Sequence, residues 1–372
     1  MREIAITVKP TLSCNMKCKH CFNGNKFNKS KVISVDRVIL LLDKASKEYD
    51  VIKLTFHGGE PTLAGKEFYR KIFEFQNRVN KENRTCFRNL FTTNGLLLDE
   101  EFIDILIENN TLINVSYDGP YNDILRQNSD KVLDNIKTIQ HKNGRIRCYC
   151  TLSQSSFSHL EEIYNWFKSQ RLDFKTLPVD RYGYAKINDN IIIKPQQLVE
   201  TLTNVYKKWL YDKDCKIRYY TFEEFSKLRR KMQFKNYWFN RKIALNPDGN
   251  IYPFGRPNDV NYCLGTPESI NKIEDCFNSE IYHKLKNTLE GFFINKCKFC
   301  ESIDVCNGVS ICMAYMYEND EEILDYGCNQ SNLIFQRILA INDGIIEDFK
   351  KGYTEAYTDT IKRNFAEFIS SK

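Results

Sequence analysis

The chain has 372 residues, and its 54 basic and 48 acidic residues give a formal net charge of +6 at pH 7. Hydrophobic residues make up 42% and aromatic residues 13%, which excludes a disordered composition. The positive excess is spread out with no dense basic block, so nucleic acid is not favoured as a partner. Neither a membrane-length apolar run nor a secretory signal is present. We therefore expect a cytoplasmic protein without a membrane partner.

The first half of the chain alternates strand-like and helix-like segments. Strand-like runs occur at 4–8, 51–56, 86–92, 111–117, 145–152 and 172–177. Segments with the period of an amphipathic helix lie between them, at 35–48, 64–82, 99–109, 130–142 and 158–170. Ser34 and Ser158 are placed to cap the first and last of these helices. Six strand–helix units in series predict an α/β fold with a parallel sheet, curled into an open partial barrel.

Three cysteines follow the first predicted strand with the spacing Cys-x3-Cys-x2-Cys, at Cys14, Cys18 and Cys21. A structural zinc site takes four ligands, and a cubane iron–sulfur cluster normally takes four thiolates. A cluster held by three thiolates leaves one iron open to a small molecule. The loop lies at the carboxyl end of the sheet, where parallel α/β folds place their active sites. The alternative is a zinc loop completed by His20.

Two further polar segments also follow predicted strands. The segment HGGEPTL comes directly after the second strand and contains Gly58, Gly59 and Glu60. Glycines allow the backbone to approach a ligand closely, and a glutamate can accept a hydrogen bond from an ammonium group. Asn94, in the segment TTNG, ends the third strand. These positions predict a ligand site shared with the cysteine loop.

Together these motifs resemble those of radical S-adenosylmethionine (radical SAM) enzymes, whose partial (βα)6 barrel matches the six units. The resemblance implies that the three cysteines hold a [4Fe–4S] cluster whose open iron binds SAM, and that an electron from the cluster yields a 5′-deoxyadenosyl radical. The segment VSYDGPYNDILR resembles the one whose serine and arginine contact SAM, although Arg126 could instead be a solvated surface residue. The cofactor-binding residues implied are Gly58, Gly59, Glu60, Asn94, Ser116 and Arg126.

The second half of the chain changes character. Two amphipathic segments between 195 and 234 predict helices, and 242–254 predicts a hairpin with Asp248 and Gly249 in its turn. A cysteine-rich stretch and a helical tail follow. The expected domains are a radical SAM barrel at 1–185, a helical insertion at 186–240, an auxiliary iron–sulfur domain at 241–330 and a helical tail at 331–372.

The cysteine-rich stretch resembles the SPASM domain of peptide- and protein-modifying radical SAM enzymes. The 14 cysteines of a chain expected to be cytoplasmic argue for metal or redox chemistry rather than disulfides. The resemblance implies one auxiliary [4Fe–4S] cluster on Cys297, Cys300, Cys306 and Cys328, with a zinc ribbon as the alternative. A second auxiliary cluster stays open, because Phe254 and Ile270 stand where two of its ligands are expected. Its displaced ligands would be Cys263, Cys276 and Cys312.

The implied reaction is hydrogen abstraction from a ribosomal precursor peptide, followed by carbon–sulfur or carbon–carbon crosslinking. An anaerobic sulfatase maturase that forms formylglycine is an alternative, weakened because Asn271 stands where that branch has a catalytic aspartate. An enzyme acting on RNA and a non-catalytic electron-transfer or zinc-binding scaffold are further alternatives. Asp180, after the sixth strand, is the candidate substrate contact or base.

The expected partners follow from the same resemblance. They are a precursor peptide or protein and a one-electron donor such as flavodoxin or ferredoxin. Only 13 residues precede Cys14, too few for a fused leader-binding domain. We therefore expect the leader to be recognised by a separate protein or by the insertion at 186–240.

Overall fold

The computed structural model describes residues 1–24, 31–83, 85–229, 241–256, 259–306, 311–351 and 357–365. Its centre is one eight-stranded sheet with the order β6-β5-β4-β3-β2-β1-β7-β8. The strands are β1 (Glu3–Val8), β2 (Val51–Phe56), β3 (Cys86–Thr93), β4 (Leu112–Ser116), β5 (Ile146–Leu152), β6 (Phe174–Pro178), β7 (Lys242–Leu245) and β8 (Ile251–Tyr252). All neighbours pair in parallel except β7 and β8. The prediction of a parallel sheet built from six strand–helix units is confirmed.

Helices cover one side of this sheet. In the first half of the chain they are α1 (Val35–Ser46), α2 (Lys66–Asn83), α3 (Glu100–Glu108), α4 (Asn122–Leu125), α5 (Ser129–His141), α6 (Leu160–Ser169) and α7 (Tyr184–Ile187). Strand β1 illustrates the two faces of the sheet. Ile4, Ile6 and Val8 are fully buried on one face, whereas Thr7 lines the cavity on the other. The alternation of apolar and polar residues therefore separates the helix-covered core from the interior of the barrel.

Two helix starts were predicted from serine positions, and they differ in outcome. Ser34 caps α1, since its side chain accepts a hydrogen bond from the backbone N–H of Asp36. The prediction for Ser158 is wrong: it lies inside a short 3-10 turn, Phe157–His159, and α6 begins after His159 without a side-chain cap. The 3-10 turn supplies the entry into the helix, so a serine cap is not needed there.

The predicted hairpin is confirmed, but it joins the barrel sheet. Strand β7 pairs in parallel with β1, with Ala5 opposite Lys242 and Val8 opposite Leu245. The sheet therefore continues from the barrel into the region expected as the auxiliary domain. The two insertion helices are α8 (Pro195–Tyr211) and α9 (Tyr220–Ser226). The second helix was predicted to run to 234, whereas α9 ends at Ser226; positions 230–234 lie outside the described residues.

The C-terminal helices pack back onto this framework. They are α10 (Glu274–Phe277), α11 (Glu280–Asn295), α12 (Ile311–Asn319), α13 (Glu321–Lys351) and α14 (Asp359–Asn364). Helix α13 packs on α8, where the Tyr206 hydroxyl donates to Asn342 Oδ1 at 2.8 Å. In the described part of the chain, none of the helices has the length and apolar character needed to cross a bilayer.

Candidate functional site

A cavity of about 670 Å³ opens at the carboxyl ends of the barrel strands. Its volume falls in the range of roughly 300–1,000 Å³ typical of small-molecule and cofactor sites. Residues from the loops after β1, β2, β3, β4 and β6 line it, and α13 covers one side. The sequence-predicted residues that it brings together are Cys14, Cys18, Cys21, Gly58, Gly59, Glu60, Asn94, Ser116, Arg126 and Asp180.

The three cysteines of the first loop face this common space. All three cysteines line the cavity, and the charges of Cys18 and Cys21 act on the thiol of Cys14. Burial is the main cause that raises the pKa of Cys14 to about 11, and burial also raises the pKa of Cys18 against the opposing charge of Arg126. Within the described residues, no three His, Cys, Asp or Glu side chains already have metal-holding geometry. A cationic cluster would remove the repulsion between thiolates, so this donor set fits iron–sulfur ligation.

The glycine pair explains how two loops meet. A Cβ atom on Gly59 would lie 2.1 Å from the carbonyl oxygen of Ser13, and one on Gly58 would lie 2.4 Å from that of Thr11. The Gly59 backbone N–H also donates to the Thr11 carbonyl at 2.9 Å. The glycines are therefore required for contact with the cysteine loop, a role that the sequence analysis did not foresee.

Glu60 ties the ends of β2 and β3 together. It is almost fully buried. Its Oε1 accepts from Thr62 N–H at 3.1 Å, Thr62 Oγ1 at 2.8 Å and Thr93 Oγ1 at 2.7 Å. Its Oε2 accepts from the Asn94 N–H at 2.8 Å. Burial raises the pKa of Glu60, and these hydrogen bonds oppose that rise. Oε2, with a single acceptor contact among the described residues, keeps capacity for a ligand donor.

Arg126 is a buried residue, so the surface alternative is wrong. Its side chain is 9% exposed and its Nε lies 2.9 Å from Oδ2 of Asp118, which is 3% exposed. Thr151 completes the group, because its hydroxyl accepts from Arg126 at 2.9 Å and its N–H donates to Asp118 at 2.6 Å. Burial alone would lower the pKa of Arg126, but the charges of Asp118 and Cys18 outweigh it and raise the pKa. The guanidinium is thus fixed beside the cysteine loop.

Sequence reasoning missed two polar residues of this cavity. Lys9 directly follows β1 and is 1% exposed. Burial lowers its pKa to about 8, against the opposing charge of Asp248. His57 follows β2, and burial, assisted by the charge of Lys9, lowers its pKa to about 4. Their position immediately after apolar strands was the available signal, because that end of a parallel sheet faces the site.

His20 lies in the same cavity as the three cysteines. Burial, assisted by the charge of Arg126, lowers its pKa to about 3. Its imidazole is therefore neutral at pH 7, the form that can ligate a metal. A zinc loop completed by His20 therefore stays the alternative to an iron–sulfur cluster.

The C-terminal cysteines act on one another electrostatically, although no three of them have metal-holding geometry among the described residues. Burial raises the pKa of Cys297 to about 12, with added contributions from the three other members. Burial likewise raises the pKa of Cys328 to about 11. A short 3-10 turn, Cys297–Phe299, begins the loop, and Cys328 is supplied by α13. The four thiols that form one neighbourhood are Cys297, Cys300, Cys306 and Cys328.

The weaker cysteine set is divided between different surroundings. Cys276 is fully buried and senses the charge of Cys263. The charged neighbours of Cys312 are instead Arg256, Asp180 and Lys242. Where the first expected ligand is missing, the ring of Phe254 packs 5.5 Å from that of Tyr315, which also packs 4.8 Å from Tyr262. Aromatic packing therefore occupies space beside this set.

Comparison with known proteins agrees with this geometry. Residues 8–167 match the Radical SAM superfamily. The cysteine-type anaerobic sulfatase-maturating enzyme of Clostridium perfringens (strain 13 / Type A) is 26% identical over 366 residues, which span 90% of this chain and 96% of that enzyme.

Two solved structures share the fold. Native anSMEcpe with bound AdoMet and the Cp18Cys peptide matches with a TM-score of 0.73 at 21% identity, covering 92% of this chain and 99% of that one. Streptococcus suis SuiB bound to the precursor peptide SuiA matches with a TM-score of 0.65 at 14% identity, covering 86% and 74%. A radical SAM domain implies a [4Fe–4S] cluster and SAM as cofactors. The chain is therefore an enzyme that contains a radical SAM domain over residues 8–167.

Proposed function

We propose that this enzyme removes a hydrogen atom from a residue of a peptide or protein substrate. The observation that carries the proposal is the convergence of Cys14, Cys18 and Cys21 with the loop of Gly58–Glu60 in one cavity. When bound, a [4Fe–4S] cluster with one iron free of protein ligands supplies the electron that cleaves SAM to methionine and a hydrogen-abstracting 5′-deoxyadenosyl radical.

The residues of the chain itself position the cofactor and exclude water. We assign Glu60 Oε2 to an ammonium group, because it is a buried acceptor aimed into the cavity. Arg126 is assigned to the cofactor carboxylate side, and its charge favours the thiolate form of Cys18 against the larger effect of burial. Helix α13 covers the cavity with Tyr326 and Gln330, which limits the access of water to reactive species.

A peptide or protein substrate is supported by the proteins that this chain resembles. The relative from Clostridium perfringens is named as a sulfatase-maturating enzyme. The neighbouring structures of anSMEcpe and SuiB contain a Cp18Cys peptide and a precursor peptide, respectively. The separate leader-binding protein and the electron donor stay predictions, as does the RNA alternative.

Two modifications of such a substrate are candidates. Full-length similarity to a sulfatase-maturating enzyme favours the formation of formylglycine. Asn271 argues against formylglycine formation, because it is exposed and belongs to the turn before α10, away from the residues that line the cavity. Asp180 lines the cavity, and we retain it as the candidate substrate contact or base. We propose crosslinking first and formylglycine formation second.

We further propose a single auxiliary cluster on the set containing Cys297 and Cys328. The support is that the charges of Cys300, Cys306 and Cys328 all act on the thiol of Cys297. The set with Cys263, Cys276 and Cys312 is the weaker one, because Cys312 lies among Arg256, Asp180 and Lys242. The division into barrel, insertion, auxiliary domain and tail is kept as a proposal.

The test uses anaerobically reconstituted enzyme, SAM and a one-electron reductant. Wild type should release 5′-deoxyadenosine and methionine, and the triple change Cys14→Ala, Cys18→Ala, Cys21→Ala should abolish this. Cys86→Ala is the matched control, since this exposed cysteine starts β3, far along the strand from the cavity. Continued 5′-deoxyadenosine formation by the triple variant contradicts the proposal. Zinc in place of iron in the wild type favours the zinc alternative.

Product mass separates the two modifications. Where short open reading frames lie beside the gene, the peptides that they encode are the substrates to test. Loss of two hydrogen atoms with retention of sulfur indicates a crosslink. Exchange of a cysteine sulfur for oxygen together with loss of two hydrogen atoms indicates formylglycine. Modification of RNA in place of either peptide would contradict the proposed substrate class, and a steep salt dependence of binding would accompany it.

A further inference from the structure

An ion pair lies at the wall of the cavity, beside Cys312 of the region where a second auxiliary cluster was expected. Arg256 follows the β7–β8 hairpin, and its guanidinium pairs with the Asp180 carboxylate from the loop after β6. Both residues line the same cavity as the cysteine loop. Their side chains are 33% and 45% exposed. The pair is therefore reachable by a ligand in the cavity.

Neighbouring groups hold Arg256 in this position. Its guanidinium lies 5.5 Å from the ring centre of Tyr182, and Nη1 lies 3.9 Å from the sulfur of Met316. Gly255 precedes it and approaches β1, since a Cβ atom there would lie 3.8 Å from Thr7 Cγ2. An arginine fixed in this way loses little side-chain freedom when it binds an anion.

The charges around the cavity favour a negatively charged ligand. The basic lining residues in the described part of the chain are Lys9, Lys17, Arg126 and Arg256, and the acidic ones are Glu60 and Asp180. Glu60 is held by buried hydrogen bonds and Arg126 by Asp118. Asp180 is the half-exposed acid of this lining, and it already contacts Arg256. A substrate carboxylate would therefore compete with Asp180 for the same guanidinium.

We propose that Arg256 binds a carboxylate of the substrate, and that Asp180 occupies the guanidinium until this carboxylate replaces it. Arg256 is then a specificity-determining residue, and acidic peptides are the preferred substrate class. The assignment to peptides rests on the proposed function, whereas the carboxylate site itself does not. Two sources share this chemistry, an acidic side chain and a C-terminal carboxylate.

The proposal makes opposite predictions for the two partners. Arg256→Gln removes the cation, so it should weaken binding of a carboxylate. Asp180→Asn removes the internal competitor, so it should strengthen binding of the same carboxylate. If Asp180 instead contacts the substrate or acts as a base, and does not compete for Arg256, carboxylate binding should weaken in both variants. Arg181→Gln is the matched control. Arg181 has the same charge as Arg256 and directly follows Asp180 in the sequence, but it pairs with Glu322 and Asp189 and does not line the cavity.

The first experiment measures binding to the reconstituted holoenzyme with SAM, at equal iron content, by isothermal titration calorimetry. The probes are N-acetylglutamate amide, which carries the side-chain carboxylate, N-acetylalanine, which carries a terminal carboxylate, and N-acetylglutamine amide, which carries neither. One acidic probe should bind wild type roughly tenfold tighter than the neutral probe, as expected for a charge-assisted contact. That preference should vanish in Arg256→Gln, increase in Asp180→Asn and persist in Arg181→Gln.

The second experiment repeats the titration with capped hexapeptides that contain either Glu or Gln beside a cysteine. A preference for the Glu peptide supports the full proposal. If the acidic small probes are preferred but the Glu and Gln peptides bind equally, the result supports the carboxylate site and contradicts the peptide assignment. Equal binding of acidic and neutral small probes, including no measurable binding of either, overturns the role of Arg256. Weaker acidic binding in Asp180→Asn overturns the competition.

Discussion

Burial gives individual side chains of the cavity properties that their sequence neighbours do not reveal. Glu60 and Lys9 are both nearly inaccessible, yet both line the site. Removing a charged group from water disfavours its charged form, which raises the pKa of a carboxyl group and lowers that of an amine. Glu60 offsets this cost with hydrogen bonds from Thr62, Thr93 and Asn94. Each residue is therefore buried in the protein and also contributes to the wall of the cavity.

Changing Glu60 to Gln should weaken SAM binding and also lower stability. The new amide group would place a donor opposite either the Asn94 N–H or the donors of Thr62 and Thr93, leaving a buried donor without an acceptor. This should cost about 1–3 kcal/mol of unfolding free energy. Denaturant unfolding and SAM titration at equal iron content measure the two effects. Thr62→Val is the control, because it removes one donor and retains the charge. Unchanged SAM affinity in Glu60→Gln would exclude Glu60 from the cofactor site.

Lys9 should make stability depend on pH above neutrality. Its pKa is about 8 in the folded chain against 10.5 in the ordinary state. Between these values the unfolded chain binds more protons, so the free energy of unfolding rises with pH, by up to about 1.4 kcal/mol per pH unit. We expect the free energy of unfolding of wild type to increase relative to that of Lys9→Met as the pH rises from 8 to 10.5. Chemical denaturation of both apoproteins measures this difference. The thiols are the same in both proteins, so their contributions to the pH dependence cancel. A pH-independent difference would contradict this assignment.

At the scale of elements, the site depends on close contact between loops that follow neighbouring strands. The loop after β2 contacts the cysteine loop through Gly58 and Gly59. The loop after β6 contacts it as well, because the Tyr184 N–H donates to the Cys21 carbonyl at 3.0 Å. A Cβ atom on Gly183 would lie 2.5 Å from that same carbonyl oxygen. The cysteine loop is thus held between two others before any cluster binds.

Gly59→Ala should displace the cysteine loop and reduce iron at that site. The added methyl group would overlap the carbonyl oxygens of Leu12 and Ser13, which are backbone atoms and cannot turn away. We expect loss of roughly four irons per chain, the content of one cubane, with the C-terminal cluster retained. Iron analysis and the yield of 5′-deoxyadenosine measure the effect. Gly291→Ala is the control, because a Cβ atom there meets nothing within 4 Å. Full iron content in Gly59→Ala would show that the loops can separate without harm.

Local patterns were sufficient to predict the six barrel strands and the cysteine loop, because alternation and the position after a strand are properties of a few consecutive residues. The pairing of β7 with β1 was not predicted. Ala5 and Lys242 are distant in sequence, and the hairpin pattern does not specify its partner. The Asp180–Arg256 pair was missed for the same reason. Asp180 was selected by its position after β6, whereas Arg256 follows a hairpin whose placement beside β1 was unknown.

At the scale of the whole molecule, α13 connects the two cysteine sites. It supplies Cys328 to the C-terminal set, and its residues Tyr326 and Gln330 line the cavity that also contains the first cysteine loop. The Tyr326 hydroxyl donates to the Ile193 carbonyl at 2.5 Å and accepts from Gln330 at 3.1 Å. Farther along, Asn342 accepts from Tyr206 of α8. The helix is therefore attached to the region of the helical insertion by contacts that do not involve the cysteines.

This arrangement predicts separable effects of removing the C-terminal cluster. Wild type should contain roughly eight irons per chain for two cubanes, or about twelve if the weaker cysteine set is also filled. The double change Cys297→Ala, Cys300→Ala should lose about four irons and destabilise the C-terminal region, because metal binding energy contributes to folding. SAM cleavage without substrate should persist, since the cysteine loop follows β1 and α13 keeps its contact with α8. Peptide modification should be lost.

The matched control for this experiment is Cys263→Ala, Cys312→Ala, which changes two half-buried cysteines of the weaker set. With one auxiliary cluster, this control should retain all its iron, whereas a loss of about four irons would establish a second cluster. Iron analysis, denaturant unfolding and the yields of 5′-deoxyadenosine and modified peptide are measured on the same preparations. If the Cys297, Cys300 variant also fails to cleave SAM, α13 depends on the cluster for its position over the cavity. The contacts at Tyr206 and Ile193 would then be too weak to hold it alone, and the two sites would form one cooperative unit.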